Sequence, residues 1–231
     1  MKKNPFDESY YKGNNQDKDR IALLWYARLI KKLVTNGPSL DFGAGTGHLA
    51  KRLPMPSYAL EIHGTAKSAI EKNAPKVIFM ASLQEVVDSK LKFNIITALH
   101  VVEHINDREL NNILIQFGKI ITQDGMILIS TPAQNGDAHL LKKEKWLALS
   151  DPTHINIKNY DEWVKIFQTS GLHVVNSFAD GFYDFPYGRL LHPRNVKFLF
   201  LTIMNLLSRT PFLKFNKGEN NVFLLSNRIQ Q

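Results

Sequence analysis

From Asp17 to about Val34 apolar residues recur at helical spacing, with Ile21, Leu24, Trp25, Leu29 and Leu33 marking a helix that Asn36-Gly37-Pro38 stops. The period then shortens. Ser39-Leu40-Asp41-Phe42 reads as a strand, followed by a glycine-rich turn, a short helix through Leu53 and a second strand at 58–62. A helix near 65–72 leads to a strand at 76–80, and another short helix leads to a strand at 93–99. Asn106, with Glu109 three residues on, caps a helix in which Leu110, Ile113, Leu114 and Phe117 share one face. Asp124-Gly125 turns the chain into a strand at 126–131 that Pro132 ends. Asn159 and Glu162 form a further cap, and the helix marked by Tyr160, Trp163, Val164 and Phe167 closes at Gly171. Strands follow at 172–178 and 221–226. Strands alternating with helices at such short intervals predict βαβ units and a mainly parallel sheet covered on both faces.

The stretch from Asp180 to Asn220 is long for a connection inside a compact domain and is rich in aromatic and basic residues, so it is expected to form a cap over the site. Within it, Phe198 to Leu207 has eight apolar residues in ten. A helix apolar nearly all round is expected to be buried, against the sheet or a second subunit. The other reading of 194–214 is a surface for a lipid-linked acceptor or a membrane interface, aided by Arg194, Lys197, Arg209 and Lys214. The expected organisation is an N-terminal segment and helix at 1–37 and one domain at 38–231, with the cap at about 180–220.

Composition narrows the chemistry. The 231 residues hold no cysteine, which removes disulfides, thiolate metal sites and any Cys nucleophile. The net charge of +8 allows an acidic partner but does not choose one, because the basic residues are scattered. The amino end lacks the apolar core of a secretory signal, and no run approaches the roughly 20 apolar residues of a membrane span, so a cytoplasmic location is expected.

In Asp41-Phe42-Gly43-Ala44-Gly45-Thr46-Gly47-His48 a strand runs into glycines that let backbone N–H groups approach a ligand. A dinucleotide turn wants a third glycine where His48 stands, and Asp41 at the strand end would repel a pyrophosphate while suiting a cationic ligand. Twenty residues after Asp41, Glu61 closes the second strand, where a carboxylate can accept both hydroxyls of a ribose. These residues resemble the D-x-G-x-G-x-G turn and ribose acid of the class I S-adenosylmethionine-dependent methyltransferases, in their small-molecule branch. Leu99-His100-Val101-Val102-Glu103-His104-Ile105, Asp124 to Pro132 and Asp151-Pro152-Thr153-His154-Ile155-Asn156 are similar to further motifs of that branch, in the same order.

The resemblance covers about 39–172. It implies an α/β, Rossmann-like sheet of seven strands, mainly parallel with the last antiparallel, helices on both faces and a helical cap insertion. It implies S-adenosylmethionine as donor, S-adenosylhomocysteine as product, and donor contacts from Asp41, Gly43, Ala44, Gly45, Gly47, Glu61, Ile62, Leu99 and His100, with Tyr11 on a flap. The family's adenine acid is absent from Met80-Ala81-Ser82-Leu83, so that contact falls to Ser82, Leu83 or backbone.

The implied reaction is methylation, at oxygen, of a small-molecule, sugar or lipid-linked acceptor by a monomer or homodimer. His154, His104 and His100 are the candidate catalytic groups, because a hydroxyl acceptor must lose its proton and histidine titrates near neutrality. Tyr183, Tyr187 and His192 are weaker candidates on the cap. His100-x-x-Glu103-His104 also spells a zinc-protease pattern, but that needs both histidines on one helical face, and the segment starts at a strand end, so no metal is expected. Two alternatives stay open: a tRNA or RNA methyltransferase, and a non-catalytic module that binds S-adenosylmethionine.

Overall fold

The computed structural model describes residues 18–182, 193–207 and 212–228. Eight strands form one sheet: β1 (Ser39–Phe42), β2 (Ser57–Leu60), β3 (Ile78–Met80), β4 (Phe93–Leu99), β5 (Ile121–Pro132), β6 (His173–Asp180), β7 (Phe212–Leu213) and β8 (Asn220–Ser226), in the order β3-β2-β1-β4-β5-β8-β6-β7. β1 to β5 run parallel, β8 inserts antiparallel between β5 and β6, and β7 pairs antiparallel with β6. The expected count of seven is therefore corrected to eight. The added strand is the two-residue Phe212–Leu213 at the edge, too short to leave a period of its own.

The helices are α1 (Ile21–Leu33), α2 (Thr65–Asn73), α3 (Leu83–Asp88), α4 (Asp107–Ile120), α5 (Asp137–Lys142), α6 (Leu147–Ser150), α7 (Tyr160–Thr169) and α8 (Pro193–Leu207). The caps read from sequence form: Asn106 accepts from the Glu109 N–H at 3.1 Å, and Asn159 and Glu162 make a reciprocal pair. The short helix expected after the glycine turn is only a 3₁₀ turn, Ala50–Arg52, because Leu53-Pro54 cannot continue a helix there.

Adjacent strand residues point to opposite faces. On one face Ile96, Ile127 and Phe223 pack with Leu110, Leu114 and Phe117 of α4 and Trp163 and Phe167 of α7; on the other Ile95, Leu128 and Val222 pack with Tyr26 and Ile30 of α1. The face of α1 that is buried is Tyr26, Ala27 and Ile30, whereas Ile21 and Leu24 are exposed, a rotation from the stripe read in sequence. The Tyr26 hydroxyl decides the rotation. It donates to Asp180 Oδ2 of β6 at 2.7 Å and lies 2.9 Å from Ser130 Oγ of β5, which fixes it over the strand ends.

The cap stretch is described in part. Burial of its apolar helix against the sheet is corrected for one face of α8: Leu199, Phe200, Ile203, Met204 and Leu207 are exposed. Gly181 accepts from Thr202 Oγ1, so the helix leans on the end of β6 along its other side. Among the described residues no helix is long and apolar enough to cross a membrane. Tyr10, Tyr11, Tyr183, Tyr187, His192 and Arg209 lie outside the described residues.

Candidate functional site

The strand order reverses between β1 and β4, and in open parallel sheets ligands bind in the crevice outside the carboxyl ends at that point. A cavity opens there. Its walls include Arg20, Asp41, Gly43, Ala44, Gly45, Thr46, Leu99 and His100. Asp41, Gly43, Ala44, Gly45, Leu99 and His100 are residues the sequence singled out. Arg20 is one it missed, since it lies in a polar segment before α1 with no motif around it.

Gly43, Gly45 and Gly47 have φ of +72°, +52° and +80°, backbone that L side chains rarely adopt. At Gly43 space forbids a side chain as well, because a Cβ would come within 2.5 Å of Val101 Cγ2. The turn is anchored to the second strand. Gly43 and Ala44 donate to the Leu60 carbonyl, and the Gly45 N–H donates to Glu61 Oε2 at 3.0 Å. Glu61, one residue past β2, also accepts from the His63 N–H at 3.2 Å, and burial raises its pKa. Ile62 beside it is 67 % exposed, an apolar surface next to a carboxylate.

Asp41 is buried at the end of β1. It accepts from Thr97 Oγ1 at 2.7 Å and from the Ala50 N–H, but burial dominates and its pKa is pushed up to about 7. Next to it, Arg20 carries a buried Nε that makes no hydrogen bond among the described residues. Its neighbour Asp19 accepts from Arg52 at 2.6 Å and Lys51 at 2.8 Å, contacts that hold the Asp19 carboxyl down at about 2 and pin the start of α1 to the turn. Gly47 does not wall the cavity and lets the turn pack on Ile70 of α2.

Glu61, Ile62, Ser82 and Leu83 also lie outside the cavity walls. Ser82 Oγ caps α3 by accepting from the Glu85 N–H, and the Glu85 carboxylate accepts from the Ala81 N–H at 2.7 Å. An acid therefore does stand beside this segment. It comes from the helix and not from the four residues scanned for it.

His100 leaves β4 with φ +57°, held by its N–H donating to the Ser130 carbonyl. Its Nδ1 lies 3.4 Å from Glu103 Oε1. Burial opposes its charge, yet the Glu103 carboxylate outweighs burial and raises its pKa. Glu103 is buried too, but His100, His104 and His154 hold it ionised against that burial. His104 and His154 stand with ring centroids 4.7 Å apart; burial lowers the pKa of His104. Asn156 clamps the two segments together, its N–H donating to the Glu103 carbonyl and its Nδ2 to the Ile105 carbonyl at 2.7 Å. Two motifs about 50 residues apart thus meet, and all three candidate catalytic histidines surround one carboxylate.

The fold has known counterparts. A family model described as "Methyltransferase domain" matches residues 15–177, most of the chain. The chain belongs to that family, and its fold and turn are those of a class I S-adenosylmethionine-dependent methyltransferase. Among curated proteins it is 27 % identical over 123 residues to the ubiquinone biosynthesis O-methyltransferase of Pelagibacter ubique. That match spans 49 % of this chain and 50 % of the relative, so only about half of the relative's length is represented. A SAM-dependent methyltransferase of Archaeoglobus fulgidus superposes with a TM-score of 0.62 at 17 % identity, over 95 % of this chain and 99 % of that one. The mitomycin 7-O-methyltransferase also reaches 0.62, at 15 % identity, over 95 % of this chain and 58 % of its own. At these identities the solved structures speak for the fold alone.

S-adenosylmethionine is the methyl donor of this family and S-adenosylhomocysteine its product. The residues present fit that ligand: a half-buried cation whose Nε has no partner among the described residues, an acid, and a turn whose backbone can be approached because no Cβ fits at Gly43.

Proposed function

We propose that this protein transfers a methyl group from S-adenosylmethionine to a hydroxyl of a small-molecule, sugar or lipid-linked acceptor. One observation carries the reading: the Gly45 N–H bonds the Glu61 carboxylate beside a cavity walled by Arg20, Asp41, Leu99 and His100. Arg20 holds the donor's carboxylate and Asp41 its ammonium end, while Glu61 accepts the ribose hydroxyls. Ile62, with Ser82 and Leu83, offers the apolar and polar edge on which the adenine rests. When bound, the donor supplies an already activated methyl group, so the protein's task is alignment and exclusion of water. His100, His104 and His154 are the groups that take the acceptor's proton.

Oxygen as the methylated atom is supported by the kinship to the Pelagibacter enzyme, whose name states O-methylation, and by the histidines around Glu103. The exposed apolar residues of α8 favour an apolar or lipid-linked acceptor. We read the protein as cytoplasmic, meeting a membrane at most peripherally. The test is transfer of labelled methyl from S-adenosylmethionine to a small-molecule and lipid extract. Label that enters organic-soluble product and survives ribonuclease supports the reading. Label recovered only in RNA, or no transfer despite donor binding, sinks it.

A further inference from the structure

A second buried carboxylate stands near His100 and has no part in donor binding. Asp180 ends β6 and is 1 % exposed. Each hydrogen-bond partner it has among the described residues donates: the Tyr26 hydroxyl to Oδ2 at 2.7 Å, Asn220 Nδ2 to Oδ2 at 3.1 Å and to Oδ1 at 3.2 Å, and the Phe182 backbone N–H. Donors gathered around both oxygens suit the ionised form, which only accepts. Burial works against that charge, and the same donors and His100 counter it. The backbone of Asp180 is fixed as well. Its carbonyl accepts the Glu219 N–H at 3.0 Å and meets Gly218, where a Cβ would come within 1.6 Å.

A chain of contacts runs from this carboxylate to His100. The Tyr26 proton is committed to Asp180, so at the 2.9 Å contact with Ser130 the serine hydroxyl donates and the Tyr26 oxygen accepts. The Ser130 carbonyl in turn accepts the His100 N–H at 2.9 Å, where His100 takes φ +57°. Residues of α1, β5 and β6 together thus set where His100 stands relative to Asp180. His100 Nδ1 lies 3.4 Å from the Glu103 carboxylate, which can only accept, so Nδ1 carries the ring proton and Nε2 holds an electron pair. Three charged groups act on that ring among the described residues. Glu103, following β4, and Asp180, at the end of β6, favour the imidazolium, while Arg20, before α1, opposes it.

We propose that Asp180 is a positioning residue for loss of the acceptor's proton, placing His100 through Tyr26 and Ser130 and, with Glu103, stabilising the imidazolium that forms. On the methyltransferase reading, on which this chemistry rests, the acceptor O–H proton passes to His100 Nε2 and from there to solvent. The oxygen's electron pair forms the bond to the methyl carbon, and the pair of the broken carbon–sulfur bond stays on sulfur. The hold of Asp180 on His100 does not depend on that reading.

The experiment titrates the ligand-free full chain by nuclear magnetic resonance, following the His100 ring carbon-bound proton, assigned as the resonance lost in His100→Asn. In the wild type His100 is expected to titrate above the ordinary histidine value of 6.5. In Asp180→Asn its midpoint moves to lower pH, because the substitution keeps an oxygen for the Tyr26 hydroxyl and removes the charge. Circular dichroism checks the fold of the variant. Should Asp180→Asn fail to fold, Asp180→Ser, smaller and also able to accept from Tyr26, takes its place. A wild-type midpoint at or below 6.5, or a midpoint that stays put in a folded Asp180 variant, overturns the proposal and leaves Asp180 as a support for α1. Calorimetry with S-adenosylmethionine on the same samples tests the methyltransferase reading separately. A shifted His100 midpoint without donor binding supports the link between Asp180 and His100 and counts against that reading instead.

Discussion

Gly45 donates its backbone N–H to the Glu61 carboxylate across 3.0 Å, tying the turn after the first strand to the acid after the second. The bond makes one unit of two features that lie 16 residues apart. With the turn fixed, Glu61 has only some of its lone pairs occupied, and on the proposed function the remainder meet ribose hydroxyls.

Glu61→Gln should separate these two roles. The amide oxygen can still accept from Gly45, but the charged acceptor is gone, so donor affinity should fall by about 1.5–3 kcal/mol, roughly tenfold to a hundredfold. Calorimetry measures the loss and thermal denaturation checks that the ligand-free fold has not weakened. Unchanged affinity would remove Glu61 from the donor site.

Arg20 is predicted to act on donor binding more than on turnover. Arg20 walls the cavity, so Arg20→Ala should raise KM for S-adenosylmethionine about tenfold or more with kcat little changed, the signature of binding lost equally in ground and transition states. A variant with wild-type KM would show that the cation faces solvent.

Asp41 predicts a pH dependence with a definite sign. Its pKa is 3.8 ordinarily and about 7 in the folded, ligand-free protein. The folded state therefore binds more protons than the unfolded chain, and the stability Asp41 contributes is full below its ordinary pKa and lost as pH rises through about 7. A cationic donor favours the ionised form, so affinity for S-adenosylmethionine should rise with pH over the same range and binding should release a proton. Calorimetry in buffers of different ionisation enthalpy measures that release. Asp41→Asn should bind weakly and without the pH slope; a slope that persists assigns the proton elsewhere.

The Tyr26 hydroxyl is predicted to hold α1 in place. Among the described residues, Tyr26→Phe leaves buried Asp180 with hydrogen bonds from the Asn220 side chain, 3.1 Å away, and the Phe182 backbone, and should cost about 1–3 kcal/mol of stability. Urea denaturation reads the change directly. A midpoint equal to wild type would mean that apolar packing alone sets the rotation of α1.

The parallel half of the fold was legible because each element announces itself locally, through apolar runs, the Asn106 and Asn159 caps and the Gly43 turn. The rotation of α1 was not, because the helix carries apolar residues on more than one face. What selects Tyr26, Ala27 and Ile30 is a hydroxyl bonded to Asp180, 154 residues away. The residues of the proposed donor side were brought together for the same reason as the strands: Asp41, the glycines and Glu61 lie at strand ends in one continuous βαβ unit. Arg20 was not, because its place comes from Asp19 bonding Lys51 and Arg52 across the fold. The convergence of His104 on His154 was equally hidden, since the Asn156 clamp and the approach of His104 Nδ1 to the Thr153 carbonyl join segments that are distant in sequence.

The most direct test of the donor site is calorimetric titration of ligand-stripped protein with S-adenosylmethionine, S-adenosylhomocysteine and NADH, repeated on Asp41→Ala and Glu61→Ala. Micromolar binding of the first two, lost in both variants, is the predicted result. Absence of binding by either, or tighter binding of NADH, would contradict it.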